Sequence, residues 1–295
     1  MPLTLRSSLL ALFLLCAPSA PADAQRGTLF IVGGGPQPDA LVEEFVKIAG
    51  GRGRANIVVF AMASESGATS GEGKAADLRA LGATARNVYV NHDQADTDSI
   101  AHLLDAATGV WFGGGDQVRL SNALRDTRTL AAIRARFKAG AVIGGTSAGA
   151  AVLSAVMLTG DERRPGGARP PSDTTEHWLT IARDNTITDD GFALLTTAII
   201  DQHFLRRKRH NRLISLVLER EPHLGAGVDE STALIVEPSG RWRVAGASVV
   251  TIYDARRATR VTKTDAPLGG AGMQLHVLPA GSTYDPATGK ATLPP

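Results

Sequence analysis

From Gly27 onward, short runs of β-branched and apolar residues alternate with stretches of helical periodicity. No other feature limits the fold as much. Residues 28–32, 56–61, 87–90, 109–112 and 141–144 read as strands, with helices over 38–49, 72–82, 97–107, 117–125 and 128–139. The strands are apolar throughout rather than at every second position. That predicts a mainly parallel sheet covered by helices on both faces. Right-handed crossovers then gather the strand C-terminal ends, and any site, along one edge. A strand at 197–201 and a helix at about 206–220 continue the rhythm, and the runs 225–228, 233–236, 241–244 and 248–253 predict an antiparallel C-terminal β extension. Short, turn-rich segments follow around 273–278. With no internal repeat and no linker, residues 25–295 are expected to form a single α/β domain. Residues 161–190, which include a Pro/Gly-rich polar stretch over 163–173, interrupt the pattern and read as a mobile surface loop.

Residues 1–24 carry one charge, Arg6, before the apolar stretch 9–17, and then small residues ending in Ala22-Asp23-Ala24. This is the order of a secretory signal peptide, and the apolar stretch is short for a membrane span. Export to the periplasm or the exterior, with cleavage after Ala24, is the expectation. Cys16 is the one cysteine of the 295 residues, so the segment 25–295 contains none. A cysteine nucleophile, a thiolate metal site and a disulfide staple are thereby excluded from it. Thirty-one basic against 29 acidic residues leave a formal charge of +2, which gives no reason to expect nucleic acid as a partner. No later apolar run is long enough for stable membrane insertion after signal cleavage.

The segment Gly144-Gly-Thr-Ser147-Ala-Gly149 follows a strand and opens a helix. It fits the five-residue G-x-S-x-G pattern of a nucleophile elbow, in which small neighbours permit a strained turn that lifts the serine above the sheet edge. The helix dipole and the Ala148 N–H would favour an oxyanion there. A plain strand-to-helix turn with an N-cap serine fits the local pattern equally well. Gly113-Gly114-Gly115 ends another strand, where the amides of Gly114 and Gly115 could complete an oxyanion hole. Gly33-Gly34-Gly35 also follows a strand but lacks G-x-G-x-x-G spacing, so a dinucleotide site is not expected.

His203, in Asp201-Gln202-His203-Phe204, is the histidine that the pattern puts at a strand C-terminal end, where an imidazole could take the serine proton. The basic run 206–212 follows it, and guanidinium groups there suit a substrate carboxylate. For the acid that would orient His203, spacing leaves Asp229 and Glu230, or Asp161 and Glu162, equally open. No histidine pair has metal-ligand spacing beside carboxylates, so a metal site is not expected.

The ordered set Phe112-Gly-Gly-Gly-Asp-Gln117, Gly144–Ala150, Asp201-Gln-His-Phe204 with Arg207, Arg209 and Arg212, and Gly227-Val-Asp-Glu230 resembles the cyanophycinase family of serine peptidases, relatives of the aspartyl dipeptidase E group. The resemblance spans about residues 28–255. It implies Ser147 as nucleophile, His203 as base and Glu230 as the preferred acid, with Asp161 or Glu162 in reserve. It assigns Gln117, Asp201, Gln202, Arg207, Arg209 and Arg212 to substrate binding, and it implies no cofactor. Such enzymes cleave a polymer with a poly-aspartate backbone and arginine on each side-chain carboxylate, releasing β-aspartyl-arginine. The loop 161–190 does not match the family, which keeps open a dipeptidase of different specificity. A non-catalytic binding protein of the same fold is the third reading. A homodimer is compatible with the sequence, which leaves oligomeric state open.

Overall fold

The computed structural model describes residues 27–163 and 180–295. The expected signal peptide (1–24) and residues 164–179 of the expected loop lie outside the described residues.

The chain first runs β1 (Thr28–Val32), α1 (Asp39–Ile48), β2 (Asn56–Phe60), α2 (Gly67–Ala80), β3 (Thr84–Val88), the single-turn helices α3 (His92–Ala95) and α4 (Asp98–Ala101), β4 (Gly109–Phe112), α5 (Gln117–Leu124), α6 (Arg128–Lys138), β5 (Val142–Thr146) and α7 (Ala148–Ala151). It continues with β6 (Val156–Glu162), β7 (Thr186–Asp190), β8 (Ile199–Asp201), α8 (His210–Glu219), β9 (Leu224–Val228), β10 (Thr232–Val236), β11 (Trp242–Gly246) and β12 (Val249–Asp254). The last strands are β13 (Thr259–Arg260), β14 (Gly270–Ala271), β15 (Gln274–Pro279), β16 (Thr283–Asp285) and β17 (Lys290–Thr292).

Strand β1 shows why the sheet must be covered twice. Leu29 and Ile31 enter one core cluster and Phe30 and Val32 another, all fully buried. Successive side chains of a strand face opposite sides, so an all-apolar strand needs packing on each. Leu41 and Phe45 of α1 with Ala75 and Leu78 of α2 cover one face. Leu120 and Leu124 of α5 and Leu130 and Ile133 of α6 help cover the other. The nine-stranded sheet has the order β17-β16-β11-β10-β1-β5-β4-β2-β3. From β1 through β3 its neighbours are parallel, and from β10 outward they are antiparallel. The expected α/β class and C-terminal β extension are both present.

Three details depart from the sequence expectation. Strand β8 does not continue the main sheet; it pairs in parallel with β9 in a second sheet of order β15-β12-β9-β8. Leu224, Ala226, Val228, Val250 and Ile252 of that sheet join the cluster containing Leu29 and Ile31, so it packs where further helices would otherwise lie. The segment expected as a loop is narrower than 161–190, because β6 and β7 pair antiparallel on either side of it. The helix after the basic run starts at His210 rather than near 206, since Lys208 has left-handed backbone (φ 52°), which interrupts a helix.

Candidate active site

The elbow is built by exclusion of side chains. Strand β5 lies beside β1, and the chain then turns at Ser147 with φ 55° and ψ −113° before entering α7. Positive φ costs a non-glycine residue of order 1–3 kcal/mol and persists only where the surroundings enforce it. Here they do. A Cβ on Gly145 would collide with the Gly149 carbonyl, and one on Gly149 would collide with the Phe112 carbonyl. The two glycines flanking Thr146-Ser147-Ala148 are therefore required by the close approach of backbone.

The Ser147 Oγ lies 2.9 Å from His203 Nε2, and His203 Nδ1 lies 2.6 Å from Glu230 Oε1. Serine, imidazole and carboxylate thus form one hydrogen-bonded series, with Nδ1–H donating to Glu230 and Nε2 facing the hydroxyl. His203 also has positive φ (49°) and is buried. These groups come from three places in the chain: the end of β5, the end of β8 and the β9–β10 connection.

One short segment holds all three. The Ser147 N–H donates to Val32 O (3.1 Å), the His203 N–H to Gly33 O (2.6 Å) and the Ser231 N–H, adjacent to Glu230, to Gly34 O (2.8 Å). Bulk at this segment is excluded. A Cβ on Gly34 would fall on the His203 ring, and one on Gly35 would approach Glu230 Cβ to 2.8 Å. The glycine run after β1, which offered no site by its spacing, is the seat of the site. Its only sequence signal was its position at a strand C-terminal end.

Burial lowers the His203 pKa below the usual histidine value; the Glu230 hydrogen bond opposes this, and the nearby Arg207 and Arg209 charges add to the lowering. The imidazole is accordingly kept neutral, the form that accepts a proton. Gly114 sits against Ser147, with the position of its missing Cβ 3.4 Å from Ser147 Cβ. Among the described residues, the N–H groups of Gly114, Gly115 and Ala148 meet no protein acceptor. Gly114 and Gly115 belong to the glycine turn, Gly115 lining one cleft with Ser147, and Ala148 follows Ser147 as the first residue of α7.

A cleft of about 470 Å³ opens beside Ser147, lined by Gly115, Asp116, Gln117, Thr159, Gly160, Asp161, Gln202, Arg207 and Arg209. Of the residues expected to bind substrate, Gln117, Gln202, Arg207 and Arg209 line it. The Gln117 amide donates to Leu158 O (2.8 Å) and to Thr159 O, so it also holds β6 at the cleft. Arg209 is buried and donates to Gln202 O (2.7 Å) and to the Gln202 side-chain oxygen. Burial pulls its pKa down to about 9, and neighbouring Arg212 adds to the lowering.

Two expected binding residues are placed differently. Asp201 and Arg212 are almost wholly buried and face each other: Arg212 Nε donates to Asp201 Oδ2 at 2.7 Å, and Arg212 Nη2 to Oδ1. The Asp201 carboxylate is committed to an internal ion pair and does not line the cleft. The reserve acids are also corrected. Glu230 occupies the position beside His203, while Asp161 lines the cleft and Glu162 ends β6. Asp229, adjacent to Glu230, accepts instead from the Arg206 N–H (3.2 Å) and the Ser248 hydroxyl (2.8 Å). Among the described residues, no three His, Asp or Glu side chains converge as a metal-ligand set.

An α/β sheet presenting an elbow serine, an imidazole and a carboxylate in hydrogen-bonded series has the architecture of the serine hydrolases. The family model described as Peptidase family S51 matches residues 29–241. The chain belongs to peptidase family S51. It is 34% identical over 200 residues to a cyanophycinase of Trichormus variabilis, covering 65% of this chain and 61% of that protein. It is 34% identical over 229 residues to a cyanophycinase of Synechococcus elongatus, covering 74% and 67%. The matched region thus spans about three-fifths of the length of the Trichormus relative. A crystal structure of a peptidase from an acI-B1 actinobacterium shares the fold, with a TM-score of 0.63 at 20% identity over 89% of this chain and 98% of that one.

Proposed function

We propose that this chain is an exported, cyanophycinase-like serine exopeptidase that hydrolyses cyanophycin or other β-aspartyl peptides and releases β-aspartyl-arginine. The series Ser147 Oγ, His203 Nε2, His203 Nδ1 and Glu230 Oε1, at 2.9 and 2.6 Å, beside a cleft carrying charges of both signs, supports the reading above all else. Family membership and the cyanophycinase relatives support it further.

In this reading Ser147 Oγ attacks the backbone carbonyl carbon of an aspartyl residue while His203 Nε2 takes the hydroxyl proton. Glu230 holds Nδ1–H and stabilises the imidazolium that forms. The Ala148 amide, with that of Gly114 or Gly115, meets the oxygen that becomes negative. His203 returns the proton to the leaving amine as the C–N bond breaks, leaving an acyl-serine. Water then loses a proton to His203 and adds to the ester carbonyl, and His203 returns the proton to Ser147 Oγ as the acyl C–O bond breaks. Arg207 and Arg209 receive a substrate carboxylate, aided by their place on the cleft wall.

Digestion of cyanophycin by the purified protein, with products identified by mass spectrometry, tests this directly. β-Aspartyl-arginine is the expected product, and Ser147→Ala should lower kcat by roughly 10⁴-fold or more. Unchanged turnover in that variant would sink the mechanism. The two arginines on the cleft wall also suit a dipeptidase acting on acidic peptides, and a panel of α- and β-linked aspartyl dipeptides separates the two substrates.

A further inference from the structure

We propose that Asp161 is the specificity residue that selects a cationic side chain in the substrate, an inference that rests on the peptidase reading above. Near the cleft, each of the other carboxylates already accepts at least one protein hydrogen bond. Asp201 is buried against Arg212, and Glu230 accepts from His203. Asp116 uses its Oδ1 to accept the Val118 and Arg119 N–H groups at the start of α5. Asp161 lines the cleft and is exposed, and its carboxylate meets no partner among the described residues.

Its placement follows from the local backbone. Gln117 ties Leu158 O and Thr159 O to the start of α5, and the Thr159 hydroxyl donates to Ile187 O (3.0 Å) while accepting from the Asp161 N–H (3.3 Å). The β6–β7 register shifts between Leu158 and Glu162, and Gly160 in that interval has φ 101°. An irregularity of this kind breaks strand alternation and re-aims the side chains beside it. Gly160 also leaves room for the Gln117 amide, which would lie 3.3 Å from any Cβ there. Ribbon and α5 therefore hold Asp161 at the cleft.

The segment following His203 contributes Arg207 and Arg209 to the same cleft. A guanidinium or ammonium entering would meet two positive charges, with the uncommitted carboxylate of Asp161 to offset them. A substrate bearing both signs is thus oriented with its carboxylate toward Arg207 and Arg209 and its cation toward Asp161. The test uses Ser147→Ala protein, which keeps the cleft but not the attacking hydroxyl. It is titrated calorimetrically with two poly-aspartate-backbone peptides, one carrying arginine and one carrying citrulline, which has nearly the same shape without charge. The arginine peptide should bind roughly ten- to a hundredfold tighter. Adding Asp161→Asn should bring the ratio close to one, and Asp161→Glu should restore part of it. A ratio unchanged by Asp161→Asn, equal affinities in the parent protein, or no binding of either peptide overturns the proposal. Hydrolysis of the arginine peptide by the unaltered protein is scored separately: its absence overturns the peptidase reading, whereas the binding ratio judges Asp161.

Discussion

At the scale of single residues, the site is governed by how His203 is kept neutral yet basic. Burial and the Arg207 and Arg209 charges lower its pKa, and the Glu230 hydrogen bond works the other way. Because the neutral ring is the base, kcat/KM should rise with pH through a midpoint below about 6.5, the ordinary histidine value. Arg207→Gln removes a lowering charge and should move that midpoint upward. Glu230→Gln removes a raising interaction and should move it downward, while costing roughly 10⁴-fold in kcat. A pH–rate profile of the three proteins checks both signs, and a common midpoint would contradict this assignment of causes. The elbow around Ser147 was legible in the sequence because its flanking glycines are local, and the family resemblance is what favoured a nucleophile there over a plain turn. Spacing did not separate Glu230 from Asp229, since both sit in one turn, and it was the family resemblance that preferred Glu230. Only the fold shows that Glu230 reaches the imidazole while Asp229 accepts from Arg206 and Ser248.

At the scale of elements, the basic run divides by burial. Arg207 stands exposed in the cleft, Arg209 is buried at its wall, and Arg212, on the inward side of α8, is paired with Asp201 at the end of β8. Composition and spacing present these arginines as equivalent, because a sequence does not tell which helix face is covered until the second sheet is known. Asp201→Asn removes the carboxylate that the buried Arg212 faces and should destabilise the fold by about 3–5 kcal/mol. Chemical denaturation measures this. Asp201→Asn combined with Arg212→Met should recover part of the loss, because the Arg212 charge is removed with its carboxylate, while Arg209, 3.7 Å from Asp201, keeps its bonds to Gln202. Loss of substrate binding with full stability would instead return Asp201 to the role that the sequence suggested. The glycine run after β1 gave no site by its spacing for a similar reason. Next to the run, the Ser231 hydroxyl donating to Pro36 O joins residues 195 apart in the chain.

For the molecule as a whole, the site sits where two sheets meet. Ser147 belongs to the end of the nine-stranded sheet, His203 follows a strand of the four-stranded sheet, and Glu230 lies in the turn passing from one to the other. Leu29 and Ile31 on one sheet share a core with Ala226, Val228 and Ile252 on the other. Activity and near-ultraviolet circular dichroism should therefore disappear together on heating. Activity lost well before the spectral change would mean that the smaller sheet undocks by itself. The parallel order of the main sheet was legible from its continuous apolar strands, whereas the second sheet was not. Its membership is set by pairings such as β12 with β15 and β9, which leave no mark in local periodicity.

The carbonyls of Val32, Gly33 and Gly34, each holding one of the three functional segments, have a consequence for how the chain tolerates change. Distances among serine, imidazole and carboxylate are measured off along three consecutive residues, from the end of β1 into the bend at Gly34, whose span is limited by covalent geometry. They do not depend on the lengths of the intervening chain between residues 147 and 203 or between 203 and 230. Insertions and replacements there can alter what enters the cleft while the reacting atoms keep their spacing. A protein built this way can exchange substrates without rebuilding its chemistry.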